Sequence, residues 1–241
     1  MSYGVTVLLA YNTHASPPID NPAQTHHPLR RMNDRHTPID QFLAATAARQ
    51  PTPGGGSVAA LAGALAAAIG EMVLNYSIGK KELAQYEPQL KSVARELAHA
   101  RELLLQLMVE DQAAYEALRD ARKLPPDSSE RAARLPATIL TCIRVPQAIG
   151  AAAGAVLDLC DRCVDIVNPH LLSDLAVCAE LAMATVRAAG YNCRVNLADV
   201  TDPADRISIE RTMIQMLAHA LPIIQRVIPR IWKRVEQTSS K

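Results

Sequence analysis

Between Pro88 and Arg122 nothing in the chain can stop a helix. The stretch holds no glycine and no proline after its first residue, and its apolar positions recur at alternating spacings of three and four. Roughly 35 residues of unbroken helix would run about 52 Å, which sets the long dimension of whatever is built around it. The core that meets this rod has little aromatic material, since Phe, Trp and Tyr together make up 3% of the chain. Ala, Leu, Ile and Val must fill it. Strands favour aromatic and β-branched residues, and no segment alternates apolar and polar with the period of a strand.

The rest of the text is also helical. Thr37-Pro38-Ile39-Asp40 reads as a helix start, with Thr as N-cap, Pro at the first helical position and Asp in the first turn; that helix should end near Arg49. Pro51 to Gly56 breaks the chain. A second helix is expected over 57–77, and its small faces (Ala59, Ala60, Gly63, Ala67 and Gly70) would let a neighbouring backbone come close, within the subunit or across a dimer. Further helices are expected over 130–167, interrupted at Pro136 and Pro146, over 171–189, and over 204–236 with kinks at Pro222 and Pro229. Residues 1–36 carry Pro17, Pro18, Pro22 and Pro28, four of the seven histidines and no periodicity, and are expected to be a mobile tail. The fold class is therefore all-α, a single-domain bundle of about six helices over 37–238.

Several functions recede at this point. A formal net charge of +1 provides no footprint for nucleic acid. The small-apolar stretch Ser57 to Ile69 reads as too short to span a bilayer, and Met1 to Ala10 lacks the basic start of a signal peptide. The five cysteines (142, 160, 163, 178 and 193) are expected to be reduced thiols in a cytoplasmic protein, with Cys160 and Cys163 as buried hydrophobes rather than metal or redox groups.

One residue of the long helix does not belong to its surroundings. Stepping along the apolar seam gives Leu97, Ala100, Leu104, Leu107, Asp111, Ala114 and Leu118. A carboxylate on such a seam must be protonated, paired, or facing a polar cavity, because burying it bare is expensive. An ion pair or hydrogen bond to another helix would explain it. So would a general acid/base lining a pocket.

Other polar residues sit where backbone geometry is special. Gly54, Gly55, Gly56 and Ser57 open directly into a helix, whose free N–H groups suit a carboxylate or phosphate, although glycine loops are often simple turns. Lys80 and Lys81 follow the far end of that helix, where cations also satisfy the dipole. Ser173, Asp174, Asn192 and Asn196 are hydrogen-bonding residues in Ala/Leu/Val-rich text; they could equally serve helix ends.

Together the segments PTPGGGSVAAL (51–61), IGKK (78–81), VEDQAAY (109–115), KLPPD (123–127), VP (145–146), NPHLLSDLAV (168–177) and NCRVNL (192–197) resemble the cyclodeaminase/cyclohydrolase family of folate one-carbon enzymes. That family includes the C-terminal half of formiminotransferase-cyclodeaminase and stand-alone methenyltetrahydrofolate cyclohydrolases. The resemblance extends over 38–236. It departs at Val167-Asn168-Pro169-His170, which keeps one Asn where the family commonly has Gly-Asn-x-Asn.

The resemblance implies an all-helical subunit that forms a homodimer, with a folate pocket and with no metal and no cofactor beyond the tetrahydrofolate substrate. Asp111 matches the family's catalytic aspartate, and Lys80, expected to be catalytic with it, matches a basic position beside the pocket. Lys81, Gly54, Gly55, Gly56, Ser57, Ser173, Asp174, Asn192 and Asn196 match positions expected to bind the folate. The first expectation for activity is hydrolysis of 5,10-methenyltetrahydrofolate to 10-formyltetrahydrofolate. The alternatives are formiminotetrahydrofolate cyclodeaminase, or a non-catalytic binding or assembly protein on the same scaffold.

Overall fold

Every long apolar segment among the described residues lies in a helix. The structure, a computed structural model, describes residues 35–239 of the 241-residue chain. It holds six α-helices: α1 (Ile39–Ala47), α2 (Gly55–Asn75), α3 (Glu87–Lys123), α4 (Ser129–Cys163), α5 (Leu172–Leu197) and α6 (Pro203–Ser239). Short 3-10 turns lie at Lys81–Tyr86 and Pro169–Leu171, and there is no strand among the described residues. The tail expected over 1–36 lies outside the described residues, except for its last two.

The helix α2 is wedged between α3 and α5, and its glycines explain how. A Cβ at Gly63 would stand 3.1 Å from Leu104 and Thr185, and one at Gly70 would stand 3.0 Å from the Cys178 sulfur. The small-residue face therefore packs inside the subunit. The core continues through Leu74, Leu97, Leu157 and Met183 toward one end of the bundle and through Leu104, Leu107, Ile143 and Ile149 toward the other, all almost wholly buried.

Ends and breaks are set by identifiable groups. Ser77 closes α2: its hydroxyl donates to the Val73 carbonyl at 2.6 Å and accepts the Asn168 N–H at 2.9 Å. Gly79, at φ +81°, then turns the chain in a region that favours glycine. At the start of α4 the Ser128 hydroxyl accepts the Arg131 N–H at 3.1 Å. The N-cap of the first helix falls on Pro38, one residue after the Thr37 expected there.

The prolines expected to interrupt α4 and α6 sit inside continuous helices. Packing against the neighbouring helices holds them in place, and at Pro146 the lost bond is replaced. Pro146 has no N–H for the carbonyl of Cys142, four residues back, and the Asn196 side-chain amide donates to that carbonyl at 3.3 Å. Gly190 likewise does not end α5, which runs on to Leu197; Asn192 and Asn196 are thus helical residues, not a helix end. The last helix is tied to α4 by Arg226 and Arg230 on Asp161, each at 2.7 Å, and to the segment that follows α4 by Arg234, which donates to the carbonyls of Val164 and Val167.

All five cysteines are buried free thiols. Cys160 and Cys178 meet across α4 and α5 at 3.3 Å, and burial pushes the Cys163 thiol up to about 12, consistent with their reading as hydrophobes. One expectation needs correction: α2 extends beyond Ser57–Ile69, and both α2 and α4 are long and apolar enough to cross a membrane. More than half of each apolar window is buried inside the bundle, which is how core helices read.

Candidate active site

Three glycine-rich residues and one carboxylate define the first end of the bundle. The chain enters α2 through Gly54 in extended conformation, with no side chain of its own to cap the helix. Asp111, projecting from the middle of α3, takes that place. Its Oδ2 accepts the Ser57 hydroxyl at 2.8 Å, and the carboxylate also accepts the Ser57 backbone N–H. The positive end of the α2 dipole favours a negative charge there.

This contact requires glycine at position 56. A Cβ built on Gly56 would lie 2.0 Å from Asp111 Oδ1 and 2.5 Å from its Cγ. The adjoining Gly55 is approached in the same way by Asn192, whose side-chain oxygen would be 3.0 Å from an added Cβ. The tight packing brings α2, α3 and α5 together at one point. Gly55, Gly56, Ser57, Asp111 and Asn192 are therefore neighbours.

Two opposing influences act on the carboxyl. Burial raises its pKa, and the two bonds from Ser57 lower it; burial prevails, so Asp111 sits above the ordinary carboxylate value of 3.8. No cation is among the groups that shift it. A half-buried acid held by one serine, with no arginine or lysine among the described residues shifting it, is suited to gaining and releasing a proton and to tolerating a cationic guest.

Two further residues near it were not flagged by sequence reasoning. Cys142 of α4 feels the charge of Asp111, and burial together with that charge pushes its thiol up to about 11. A thiol raised this far stays protonated at neutral pH, which makes it a poor nucleophile. Gln112, next to Asp111, is 1% exposed; its amide donates to the Met108 carbonyl at 3.3 Å, while its Oε1 has no donor among the described residues. A polar residue on an otherwise apolar helix face was the available signal for Gln112. Nothing local marked Cys142.

Asn196 has a structural task as well, since its amide serves the carbonyl that Pro146 leaves open. Asn196→Ala should lower stability by about 1–2 kcal/mol, the usual cost of orphaning a buried acceptor. Chemical denaturation would check this, and an unchanged midpoint would show that the bond carries no weight.

The remaining expected residues are elsewhere. Lys80 and Lys81 are exposed and follow the opposite end of α2, a helix of 21 residues. That separates them from Asp111 by roughly 30 Å along the axis. Ser173 and Asp174 open α5 at this same far end, where Asn168 reaches the Tyr76 carbonyl at 3.4 Å. A single subunit thus places the expected site residues in two groups, one at each end of the antiparallel pair α2 and α5.

Comparison with known proteins agrees with this architecture. Residues 38–215 match the formiminotransferase-cyclodeaminase family. The chain is 32% identical over 201 residues to a methenyltetrahydrofolate cyclohydrolase of Methylorubrum extorquens, covering 82% of this chain and 97% of that protein. It is 29% identical to the formimidoyltransferase-cyclodeaminase of Gallus gallus over 76% of this chain, and spans 35% of that longer protein. Among solved structures, a formiminotetrahydrofolate cyclodeaminase from Thermotoga maritima superposes with a TM-score of 0.73 at 25% identity, covering 85% of this chain and 98% of that one. With most of its length matched by the family and a 32% identical relative covered almost end to end, the chain belongs to the formiminotransferase-cyclodeaminase family.

Proposed function

We propose that this protein is a folate one-carbon enzyme that hydrolyses 5,10-methenyltetrahydrofolate to 10-formyltetrahydrofolate, with Asp111 as its acid/base. The observation that carries the reading is the state of that carboxyl: half-buried, raised in pKa and without a cation beside it. The substrate brings the cation, because its bridging carbon lies between two nitrogens that share a positive charge.

Water attacks this carbon and Asp111 takes the proton as the C–O bond forms. The tetrahedral adduct then collapses: the bond to the ring nitrogen N5 breaks, Asp111 returns its proton to that nitrogen, and the hydroxyl proton leaves to solvent as the formyl group forms. The net change is one water consumed and one proton released. Ser57 positions the carboxylate through its 2.8 Å bond. No electron changes hands, so the chemistry calls for no cofactor beyond the folate.

A second reading uses the same parts. In 5-formiminotetrahydrofolate the folate's own N10 would attack the formimino carbon, with Asp111 moving the N10 proton to the departing ammonia. The fold similarity to a stand-alone cyclodeaminase favours keeping it. The cyclohydrolase comes first because the relative named for it is covered at 97% of its length. Five buried free thiols support a reducing, cytoplasmic setting.

Incubation with 5,10-methenyltetrahydrofolate should deplete that compound's near-ultraviolet band faster than buffer does. The parallel assay with 5-formiminotetrahydrofolate, followed by ammonia release, should be much slower. The opposite ranking would make the cyclodeaminase reading correct, and two flat traces would remove both.

A further inference from the structure

We propose that Asn192 holds the attacking water against Asp111, its side-chain oxygen and the carboxylate each accepting one of the water's two hydrogens. The inference deepens the folate reading and rests on it for its chemistry.

The geometry begins with the two ends of the Asn192 amide. Its Nδ2 donates to the Ala188 carbonyl, one turn back on α5, at 3.0 Å. That bond fixes the orientation of the amide, because an oxygen turned toward a carbonyl would be repelled. The Oδ1 is thereby aimed at the first residue of α2, 3.0 Å from where a Cβ on Gly55 would stand. No donor among the described residues bonds it, so it does not serve as a cap for α2.

Asp111 reaches the next residue in the same manner. Its Oδ2 is engaged by the Ser57 hydroxyl, while its Oδ1 lies 2.0 Å from where a Cβ on Gly56 would stand. Two acceptor oxygens from two helices, α3 and α5, thus press on consecutive residues, whose Cα atoms are about 3.8 Å apart. A single water donates two hydrogens and can bridge acceptors so placed. Glycine is a poor helix former, and two in succession at the start of α2 provide the clearance that both oxygens need. Asn192 is half-buried, which leaves the pair within reach of solvent.

A water held in this way has both hydrogens engaged and a lone pair turned outward, toward the cationic carbon of the folate. As the O–C bond forms, the hydrogen facing Asp111 passes to the carboxylate. The other stays on the oxygen, held by Asn192, until it leaves to solvent as the formyl group forms. An amide oxygen is too weak a base to take a proton here, so Asn192 contributes orientation. Ring closure of 5-formiminotetrahydrofolate uses N10 as its nucleophile and consumes no water; this oxygen therefore serves hydrolysis alone.

Two full-length variants test the role. Asn192→Leu keeps the approximate shape and removes the acceptor. Its kcat for 5,10-methenyltetrahydrofolate should fall about 10- to 100-fold with KM within about twofold of wild type, because the lost bond is to water and not to the folate. Asn192→Asp restores an acceptor oxygen but, like leucine, cannot make the amide's bond to Ala188. It should run about tenfold faster than the leucine variant. A second carboxylate beside Asp111 also raises the pKa of the first, so the rising limb of its pH–rate profile should move to higher pH.

Three results would overturn the proposal. One is an unchanged kcat in Asn192→Leu. Another is a raised KM with kcat intact, the mark of a residue that only binds folate. The third is an aspartate variant no faster than the leucine one and with its pH limb unmoved, which loss of the Ala188 bond alone would produce. The aspartate limb is read against wild type, so it decides the matter even if the leucine variant does not fold. A wild type that hydrolyses no folate removes the folate reading and this inference together; hydrolysis at full rate by Asn192→Leu removes the inference and spares the reading.

Discussion

Asp111→Asn is expected to yield a folded protein whose turnover falls by about 100- to 10,000-fold, the range over which a positioned acid/base acts. The amide keeps the shape of the carboxyl and can still accept the Ser57 hydroxyl that now bonds at 2.8 Å. What it cannot do is take a proton from water. Substrate affinity should also weaken, because the anion facing a cationic carbon is gone. Wild-type turnover in this variant would remove Asp111 from the chemistry.

The same substitution should raise stability at neutral pH, and the direction follows from the shifted carboxyl. Burial places the folded-state pKa above the ordinary value of 3.8. The folded protein therefore holds that proton more tightly than the unfolded chain does. The resulting stabilisation is fully present below the unfolded value and is lost as pH rises through the folded one. At pH 7 the ionised Asp111 is a burden that asparagine lifts. Thermal unfolding of the variant should occur above that of wild type at pH 7, with the gap closing as pH approaches 4. Turnover in the wild type should rise with pH through the same folded-state value, since the base must be ionised to act.

Gly56→Ala is the second large effect. Alanine is the better helix former by roughly 1 kcal/mol in a helix interior, so propensity alone would favour the change. Geometry overrules it. The added Cβ would sit 2.0 Å from Asp111 Oδ1, 2.5 Å from Cγ and 2.7 Å from Oδ2. Asp111 must swing away or the start of α2 must move, and either displacement breaks the Ser57 bond. Turnover should fall by about 100-fold, as expected when a reacting group is misplaced by an ångström, and the melting temperature should fall as well.

Two companions make that result interpretable. Gly154→Ala, where nothing lies within 4 Å of the new carbon, should hold or raise stability. Gly56→Ala combined with Asp111→Ala should regain most of the lost stability while remaining inactive, because the clash needs both side chains. A Gly56→Ala single variant that matches wild type in both rate and stability would show that the glycine is not required by the carboxylate.

The helices were readable because their signals are local. Apolar spacing of three and four along 88–122, the absence of aromatic strands of sequence, and Ser128 at a helix start all report on a few neighbouring residues. Asp111 was readable for the same reason: a carboxylate on an apolar seam contradicts its own neighbours. The prolines misled because their effect depends on distant partners. Pro146 breaks a helix unless something else serves the Cys142 carbonyl, and Asn196, fifty residues later and on another helix, does so. Gly190 misled similarly, since packing on α4 carries α5 past it.

The sequence by itself determined that this chain folds into a helical bundle with one anomalous acid and two polar groups flanking a glycine-opened helix, because spacing, breaker residues and burial cost act along the chain. Tertiary structure alone decided that Gly56 and Asp111 touch, that Cys142 feels the Asp111 charge, and that Lys80 stands at the opposite end of the same helix. Such relations depend on which faces of three helices meet and on how far a 21-residue rod carries its ends apart, and neither quantity is written in any stretch of sequence that could be read alone.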